Sequence, residues 1–241
     1  MSFHSFFMRA TGNAPYDYQV GLAANGLPPA LEVPTGAGKT AAIVLAWLYR
    51  LTEARIPGTP RSLVFMLPMR TLVEQTAEST KAWLENVGLS GQVRVVTLMG
   101  GNPESSGSLN EWRRNPQQPT VVIGTVDSVL SRALVRGYAQ PRPSYPIDFA
   151  RITDDAHWVL DEVQLAQQAA ATARQVASFR DELETLHPGR LTCMSATLPS
   201  SPLNTIDNPY QPDLTVTLGE NDRSGSLRIR LEATRTIRSI P

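Results

Sequence analysis

The chain has 241 residues, of which 41% are hydrophobic, and its 22 basic residues balance its 22 acidic residues to a net charge of zero. This length suits one sizeable α/β domain with or without an extension, and the charge balance excludes a global basic field, so that any nucleic-acid contact must be local. The single cysteine, Cys193, excludes an internal disulfide, and neither a signal peptide nor a membrane-length apolar run is found, so we expect a cytoplasmic protein without a membrane partner.

The residues before the first predicted strand are rich in aromatic side chains. Phe3, Phe6 and Phe7 are expected to pack against the domain. The segment Pro15 to Gln19 follows, and its Tyr-x-Tyr-Gln pattern alone indicates no more than the start of an amphipathic helix. The amide of Gln19 offers a donor and an acceptor side by side, a pair that matches the edge of an adenine base.

A glycine-rich turn stands between a predicted strand, Ala30 to Val33, and a predicted apolar helix, Ala41 to Leu51. The turn consists of Pro34, Thr35, Gly36, Ala37, Gly38, Lys39 and Thr40. Between two buried elements, such a turn directs backbone amides and a helix N-terminus to one point, where both favour negative charge. The pattern predicts a phosphate site, and the alternative is a plain glycine turn with a surface lysine.

The residue types in this turn fit ATP and Mg²⁺ as cofactors. Gly36 and Gly38 let the backbone approach phosphate oxygens, the amine of Lys39 can reach the β and γ phosphates, and the hydroxyl of Thr40 can ligate Mg²⁺. Lys39 and Lys81 are the only lysines among the 22 basic residues. A compact point charge, rather than a planar guanidinium, therefore stands where the phosphates are expected.

Ser62 to Leu67 is predicted as a second strand, followed by an amphipathic helix that begins near Arg70 and Thr71 and is capped by Gly88. The helix dipole disfavours an arginine in the first turn. Arg70 is therefore either a surface cation or a group that holds a phosphate.

A third strand, Val93 to Leu98, is predicted to end in Gly100 and Gly101, whose backbone amides could meet a nucleic-acid backbone. The following stretch, 102 to 120, is rich in turn-forming residues and is predicted as a loop, in which Trp112 to Arg114 could form a short helical turn. Within it, Trp112 to Arg114 either stacks on a nucleic-acid strand or is a packed tryptophan with solvated neighbours.

Val121 to Gly124 is predicted as a fourth strand, and a helix begins after it with the hydroxyls of Thr125 and Ser128 near its N-terminus. Neutral hydroxyls and amides can hold a phosphate without basic charge. The proline-rich stretch from Gly137 to Ala150 has no periodicity and is predicted as a surface loop or small insertion.

A strand from His157 to Leu160 delivers two adjacent carboxylates, Asp161 and Glu162. Asp161 would hold Mg²⁺, whereas Glu162 would orient and deprotonate an attacking water. The alternative is that Asp161 and Glu162 lie in an ordinary solvent-exposed turn. Their position after a phosphate loop favours the catalytic role instead.

After the carboxylates, a helix is predicted from Gln167 to Leu186 and a further strand from Arg190 to Met194. The predicted apolar face of the helix consists of Leu165, Ala169, Thr172, Val176, Phe179, Leu183 and Leu186. The last strand leads into Ser195-Ala196-Thr197.

Taken in order, these stretches resemble the motifs of the first RecA-like domain of a superfamily 2 helicase over residues 14 to 200. The matching stretches are Gln19, P-T-G-A-G-K-T, L-P-M-R-T-L-V-E-Q, G-G, G-T-V-D-S-V-L, D-E-V-Q and S-A-T-L-P. The resemblance implies that Gln19 reads adenine. It implies contact with single-stranded nucleic acid by Arg70, Thr71, Gly100, Gly101, Thr125 and Ser128, and coupling of the Asp-Glu pair to that strand by Gln164, Ser195 and Thr197.

Details of the motifs resemble the helicase part of the type I CRISPR-associated helicase-nucleases, which act in antiviral defence. These details are D-E-V-Q rather than D-E-A-D, M-S-A-T-L-P, and the run from Leu227 to Thr234. This resemblance implies DNA as the substrate. It also implies three partners, which are a second RecA-like domain in cis or in trans, a nuclease domain and a CRISPR surveillance complex.

Three features depart from the family patterns. Val33 replaces the first glycine of the general phosphate-loop motif, no Q-x-x-G-R-x-x-R segment follows Ser195, and no His-Asp nuclease pair occurs. We therefore expect a fragment or a split subunit, with residues 1–200 as the RecA-like domain and residues 201–241 as an extension or linker toward a second domain. Alone, such a chain is expected to turn over ATP weakly or not at all.

The expected fold is an α/β domain with a mainly parallel sheet of about seven strands and helices on both faces. The expected function is that of the ATP-binding half of a DNA helicase or translocase. An RNA helicase, a restriction-type translocase and a nucleotide-dependent docking module without turnover remain as alternatives.

Overall fold

The fold was derived from a computed structural model, which describes residues 1–99, 105–137, 140–182, 190–223 and 227. The predictions made for Gly100 and Gly101, and for residues 228–234, lie outside the described residues. Within the described part of the chain, the sheet has seven strands, which are β1 (Ala30–Glu32), β2 (Ser62–Leu67), β3 (Arg94–Leu98), β4 (Thr120–Thr125), β5 (Ala156–Leu160), β6 (Arg190–Ser195) and β7 (Thr215–Thr217).

All neighbouring strands pair in parallel, in the order β3-β4-β2-β5-β6-β1-β7. The predicted parallel α/β fold is therefore confirmed. The edge strand β7 pairs with β1 through Ala30 opposite Thr215 and Glu32 opposite Thr217. The sheet thus extends beyond residue 200, where the sequence suggested the start of an extension.

Helices cover both faces of the sheet. They are α1 (Phe3–Thr11), α2 (Asp17–Asn25), α3 (Lys39–Thr52), α4 (Arg70–Val87), α5 (Ser105–Arg114), α6 (Val126–Ala133), α7 (Tyr145–Thr153), α8 (Gln167–Glu182) and α9 (Ser200–Leu203). Apolar residues of α1 to α4 form the core on one face, and those of α5 to α9 form the core on the other. None of the helices in the described ranges has the length and apolar character that crossing a bilayer requires.

The central strands are apolar because both of their faces are covered. In β2, Leu63 and Phe65 pack into the core of α1 to α4, whereas Val64 and Met66 pack into the opposite core. Such near-continuous apolar runs are typical of parallel strands between two helix layers. The aromatic residues of α1 pack as predicted, and the ring of Phe3 meets the edge of Tyr49 at a centroid distance of 5.3 Å.

The predicted apolar face of α8 is only partly correct, because Val176 is buried as predicted but other members of the face are not. Leu165, just before the helix, is 62% exposed and Phe179 is 47% exposed, whereas Ala170, Ala173 and Ala177 are buried. The buried side of α8 also includes Arg174 and Arg180, which an apolar pattern could not indicate. Leu183 and Leu186 lie outside the described residues.

Two stretches that were predicted as loops contain helices. Residues Ser105–Arg114 form α5, and Tyr145–Thr153 form α7. The prolines do not interrupt α7, because Pro146 lies in its first turn, where a missing backbone N–H costs no intrahelical hydrogen bond. Pro146 therefore marks the start of a helix, whereas the sequence pattern of prolines in this stretch indicated a loop.

A buried carboxylate ties these helices together. Asp148 of α7 accepts two hydrogen bonds from Arg113 of α5, at 2.6 Å and 2.8 Å, and one from Arg132 of α6 at 3.4 Å. Hydrogen bonding to Asp148 raises the pKa of Arg113. Trp112 is buried beside this cluster, so the Trp-Arg-Arg stretch is a packed tryptophan rather than a stacking platform.

We predict that Asp148→Ala destabilises the chain by about 3 to 5 kcal/mol, because it leaves the guanidinium groups of Arg113 and Arg132 without their shared buried carboxylate. Urea unfolding at neutral pH measures the loss. Asp213→Ala, which removes an exposed carboxylate, is the control and should change stability by less than about 0.5 kcal/mol. Equal stability of the two variants would contradict the structural role of Asp148.

Candidate nucleotide site

The predicted functional residues lie along one edge of the sheet. Because the strands are parallel, their carboxyl ends meet at this edge. The glycine-rich turn follows β1, Arg70 follows β2, Asp161 follows β5, and Thr125 and Ser195 end β4 and β6. The turn and the two carboxylates belong to strands on the β5-β6-β1 side of the sheet, and the predicted nucleic-acid residues belong to β2 and β4.

The glycine-rich turn has the backbone that its sequence predicts. Gly36 and Gly38 have φ angles of 87° and 77°, which side chains with a Cβ rarely adopt. Gly38 is the residue that precedes α3, so the N-terminus of that helix opens onto the turn. The side chain of Ala37 lies in the core, and its N–H donates to the carbonyl of Pro34 at 3.3 Å.

The amine of Lys39 is buried at the start of α3. Its Nζ donates to the carbonyl of Val33 at 3.1 Å and lies 3.9 Å from Oε1 of Glu162. A helix N-terminus already carries partial positive charge, so an ammonium group there requires compensating negative charge. The site supplies part of this charge through Glu162, and an anionic ligand would supply more.

Asp161 is buried at the end of β5. Burial, followed by repulsion from Glu162, raises the pKa of Asp161 to about 7, although Lys39 acts in the opposite direction. Oδ1 of Asp161 accepts the N–H of Glu162 at 2.7 Å. Glu162 itself has a φ of 51°, a left-handed conformation that costs free energy in a residue with a side chain. The two carboxylates are therefore held in a strained turn that faces Lys39.

These groups line a cavity of about 390 Å³ between the turn and α4. Its lining includes Thr35, Gly36, Gly38, Lys39, Thr40, Asp161 and Glu162, together with Gln75, Ser79 and Trp83 of α4. The volume suits a small-molecule site. A hydroxyl from Thr40 and a carboxylate from Asp161 fit Mg²⁺, which proteins hold through one or two side-chain oxygens together with phosphate oxygens and water.

A chain of hydrogen bonds leads away from Glu162. Nε2 of Gln164 donates to Oε2 of Glu162 at 2.5 Å, and Oε1 of Gln164 accepts from the hydroxyl of Ser195. The same hydroxyl oxygen accepts the N–H of Thr197 at 3.1 Å. Gln164, Ser195 and Thr197, which the resemblance assigns to coupling, are thus linked in one series of hydrogen bonds that ends at Glu162.

Gln19 lies beside the turn, and its amide is hydrogen-bonded to neighbouring backbone groups. Its Oε1 accepts the N–H of Tyr16 at 2.9 Å, and its Nε2 donates to the carbonyl of Gly38 at 3.3 Å. The side chain is 1% exposed. Both ends of the amide therefore bind the protein backbone, and contact of Gln19 with an adenine base stays a prediction. A second cavity of about 490 Å³ is lined by Gln19 together with Tyr16 and Trp83.

The predicted nucleic-acid residues differ in their exposure. Arg70 and Thr71 are exposed in the first turn of α4. Thr125 precedes α6, and its Oγ1 lies 2.9 Å from the hydroxyl oxygen of Ser128. Because Ser128 is buried and its hydroxyl is bonded to Thr125, the predicted direct contact by Ser128 does not fit the structure.

Sequence reasoning missed the contribution of α4 to the nucleotide cavity. Gln75, Ser79 and Trp83 face it and are spaced four residues apart, which places them on one side of a helix. That spacing could have indicated a common face. It could not have shown that this face borders the phosphate turn, because the contact depends on how α4 packs against α1 and the sheet.

We predict that Asp161→Asn stabilises the chain at pH 8, on the order of 2 kcal/mol. Between about pH 4 and pH 7 the folded chain holds a proton on Asp161 that the unfolded chain has lost. The free energy of unfolding therefore falls as pH rises through this range. Above pH 7 the full destabilisation by the ionised Asp161 is present.

Thermal melting of both proteins from pH 4.5 to pH 8 checks this prediction. The difference should be near zero at the acid end and largest at pH 8. A difference that does not change with pH would show that Asp161 is ionised throughout.

Solved structures share this fold at low sequence identity. The DUF1998 helicase MrfA bound to DNA matches with a TM-score of 0.62 and 15% identity over 92% of this chain. Helicase Lhr of Mycobacterium smegmatis, bound to ssDNA and AMP-PNP, matches with a TM-score of 0.58 and 17% identity over 90% of the chain. A hypothetical ATP-dependent RNA helicase from Sulfolobus tokodaii matches with a TM-score of 0.53 and 20% identity over 84% of the chain.

The chain spans only part of the length of these structures. The matches cover 29% of MrfA, 27% of Lhr and 52% of the Sulfolobus protein. A comparison with curated proteins finds no match.

Residues 23–206, which include the phosphate turn, both carboxylates and the Ser195 segment, match the DEAD/DEAH box helicase family. The chain therefore belongs to the DEAD/DEAH box helicase family.

Proposed function

We propose that the chain is the ATP-binding half of a motor that unwinds or translocates along DNA. The observation that carries this proposal is the convergence of Lys39, Asp161 and Glu162 on one cavity, with Nζ of Lys39 at 3.9 Å from Glu162. A phosphate-binding lysine opposite an Asp-Glu pair is the arrangement for hydrolysis of a nucleoside triphosphate. It supports turnover rather than nucleotide-dependent docking alone.

Each group has a role that its position supports. Amides of the turn and the amine of Lys39 bind the phosphates of ATP. Bound Mg²⁺ would neutralise phosphate charge, with Thr40 and Asp161 as its protein ligands. Glu162 orients the attacking water and accepts its proton, and Gln164 fixes the carboxylate of Glu162 through a 2.5 Å hydrogen bond.

Single-stranded DNA is the proposed polymer. Arg70 and Thr71 are exposed at the carboxyl end of β2, the strand next to the one that delivers Asp161. A cation, a hydroxyl and the amides of a helix N-terminus can hold a backbone phosphate there. The similar folds of MrfA bound to DNA and Lhr bound to ssDNA support the choice of DNA.

A second RecA-like domain, in cis or in trans, is the proposed partner across the nucleotide. Such a domain would supply arginines that stabilise the charge on the transferred phosphoryl group. The finer proposal is a type I CRISPR-associated helicase-nuclease, with a nuclease domain and a surveillance complex as further partners. It is supported by the sequence motifs D-E-V-Q and M-S-A-T-L-P.

We predict that Lys39→Ala and Glu162→Gln separate binding from hydrolysis. Loss of the Lys39 ammonium should weaken ATP binding about 10- to 100-fold, because it removes a charged hydrogen bond to the phosphates. Glu162→Gln should keep the affinity within about threefold and slow turnover by roughly 10² to 10⁴, because a glutamine cannot accept the proton of water. Calorimetry and single-turnover hydrolysis measure the two effects, and equal loss of affinity in both variants would contradict the assigned roles.

We also predict that the 241-residue chain alone hydrolyses ATP slowly and is stimulated little by single-stranded DNA. An arginine finger from a facing domain is worth roughly 10³ to 10⁵ in rate. Steady-state hydrolysis with and without single-stranded DNA, and with RNA of the same length, tests this prediction. Rapid turnover that RNA stimulates more than DNA would favour the RNA helicase alternative, and rapid DNA-stimulated turnover would contradict the need for a second domain.

A further inference from the structure

A carboxylate near the end of the described chain caps a helix near its beginning. Asp222 lies in a short helical turn, Asn221–Arg223, that follows β7, and it is 3% exposed. Its Oδ1 accepts the N–H of Asp17 at 2.6 Å, and its Oδ2 accepts the N–H of Tyr18 at 3.3 Å. Asp222 therefore binds the N-terminus of α2 across 205 residues of sequence.

The contact provides hydrogen-bond partners both for the first amides of α2 and for the buried carboxylate of Asp222. The first amides of a helix lack intrahelical acceptors, and their partial positive charge favours a carboxylate. Oδ2 of Asp222 also accepts the N–H of Gly219 at 3.0 Å, so the carboxylate has several donors despite its burial. Asn221 adds a hydrogen bond from its side-chain amide to Oδ2 of Asp17 at 3.1 Å.

The capped helix in turn holds the phosphate turn. The hydroxyl of Tyr18 donates to the carbonyl of Ala37 at 2.6 Å, and Nε2 of Gln19 donates to the carbonyl of Gly38 at 3.3 Å. Tyr18 is buried, and this burial raises the pKa of its hydroxyl, which remains a donor at any ordinary pH. Two consecutive carbonyls of the turn are thus fixed by two consecutive residues of α2.

The same C-terminal segment also supports the strand that leads into the turn. Strand β7 pairs with β1 through Thr215 to Thr217, and Leu218 joins the core that surrounds α1 to α4. The segment from Thr215 to Arg223 therefore contacts both elements that position the phosphate turn, which are β1 and α2.

We propose that Asp222 is a positioning residue of the nucleotide site. It fixes α2, and through Tyr18 and Gln19 it holds the phosphate turn in the shape that binds ATP. The affinity for ATP then depends on whether the segment after β7 is docked. This inference rests on the proposed function, namely that the turn binds ATP, and assigns to it a residue outside the matched helicase region of 23–206.

A double-mutant cycle with Asp222→Ala and Tyr18→Phe tests the proposal in the 241-residue chain. Asp222→Ala removes the cap of α2, whereas Tyr18→Phe removes only the hydroxyl that reaches Ala37. Each substitution should weaken ATP binding about tenfold in calorimetry. Because both act on the same path, the double variant should bind only slightly more weakly than either single variant, rather than about a hundredfold more weakly than the wild type.

Two further variants separate positioning from general loss of stability. Asp148→Asn alters a buried carboxylate in the opposite core, so it should lower the melting temperature but leave the affinity for ATP unchanged below the melting range. Asp222→Asn keeps an oxygen acceptor for one amide and should recover part of the affinity that Asp222→Ala loses. It also serves as the test variant if Asp222→Ala does not fold.

The outcomes distinguish this inference from the function on which it rests. If the wild-type chain does not bind ATP, the proposed function is overturned, and the inference falls with it. If the wild type binds ATP and the Asp222 variants bind equally well, the inference alone is overturned. Fully additive losses in the double variant would also overturn it, because Asp222 would then act independently of Tyr18.

Discussion

Parallel pairing of the strands is the constraint on which the candidate site depends. Because β1, β2, β4, β5 and β6 all run in one direction, every turn that follows them emerges at one edge of the sheet. Residues as distant in sequence as Lys39 and Glu162 are brought within 3.9 Å of each other in this way. The order of the strands then determines which turns are neighbours, and it places the phosphate turn and the Asp-Glu pair on one side of the predicted nucleic-acid residues.

The same edge of the sheet brings together groups that are unfavourable when no ligand is bound. A buried ammonium at a helix N-terminus, a buried aspartate with a raised pKa and a glutamate with a positive φ all lie in one cavity. Each of these features costs free energy in the absence of a ligand. The apolar cores on both faces of the sheet provide the stability that permits this arrangement, and a bound phosphate group with a cation would compensate the charges.

Sequence patterns predicted the features that depend on short-range chemistry. The phosphate turn needs two glycines with positive φ, and the Asp-Glu pair needs a buried strand before it, so both could be recognised locally. The buried face of α8 could not, because it combines alanines with Arg174 and Arg180, whereas the apolar Leu165 and Phe179 are exposed. No sequence pattern indicated the hydrogen bonds from α2 to Asp222 either, because they join residues about 200 positions apart.

Hydrogen–deuterium exchange of the chain with and without ATP and Mg²⁺ tests most directly whether this edge of the sheet is the nucleotide site. The account predicts that ATP slows exchange in peptides covering the phosphate turn, residues 34–40, and the carboxylate turn, residues 161–164. Exchange in peptides that contain Arg113, Arg132 and Asp148, on the opposite face of the sheet, should stay unchanged. Protection confined to other regions, or absent at ATP concentrations that saturate binding, would contradict the assignment of the site.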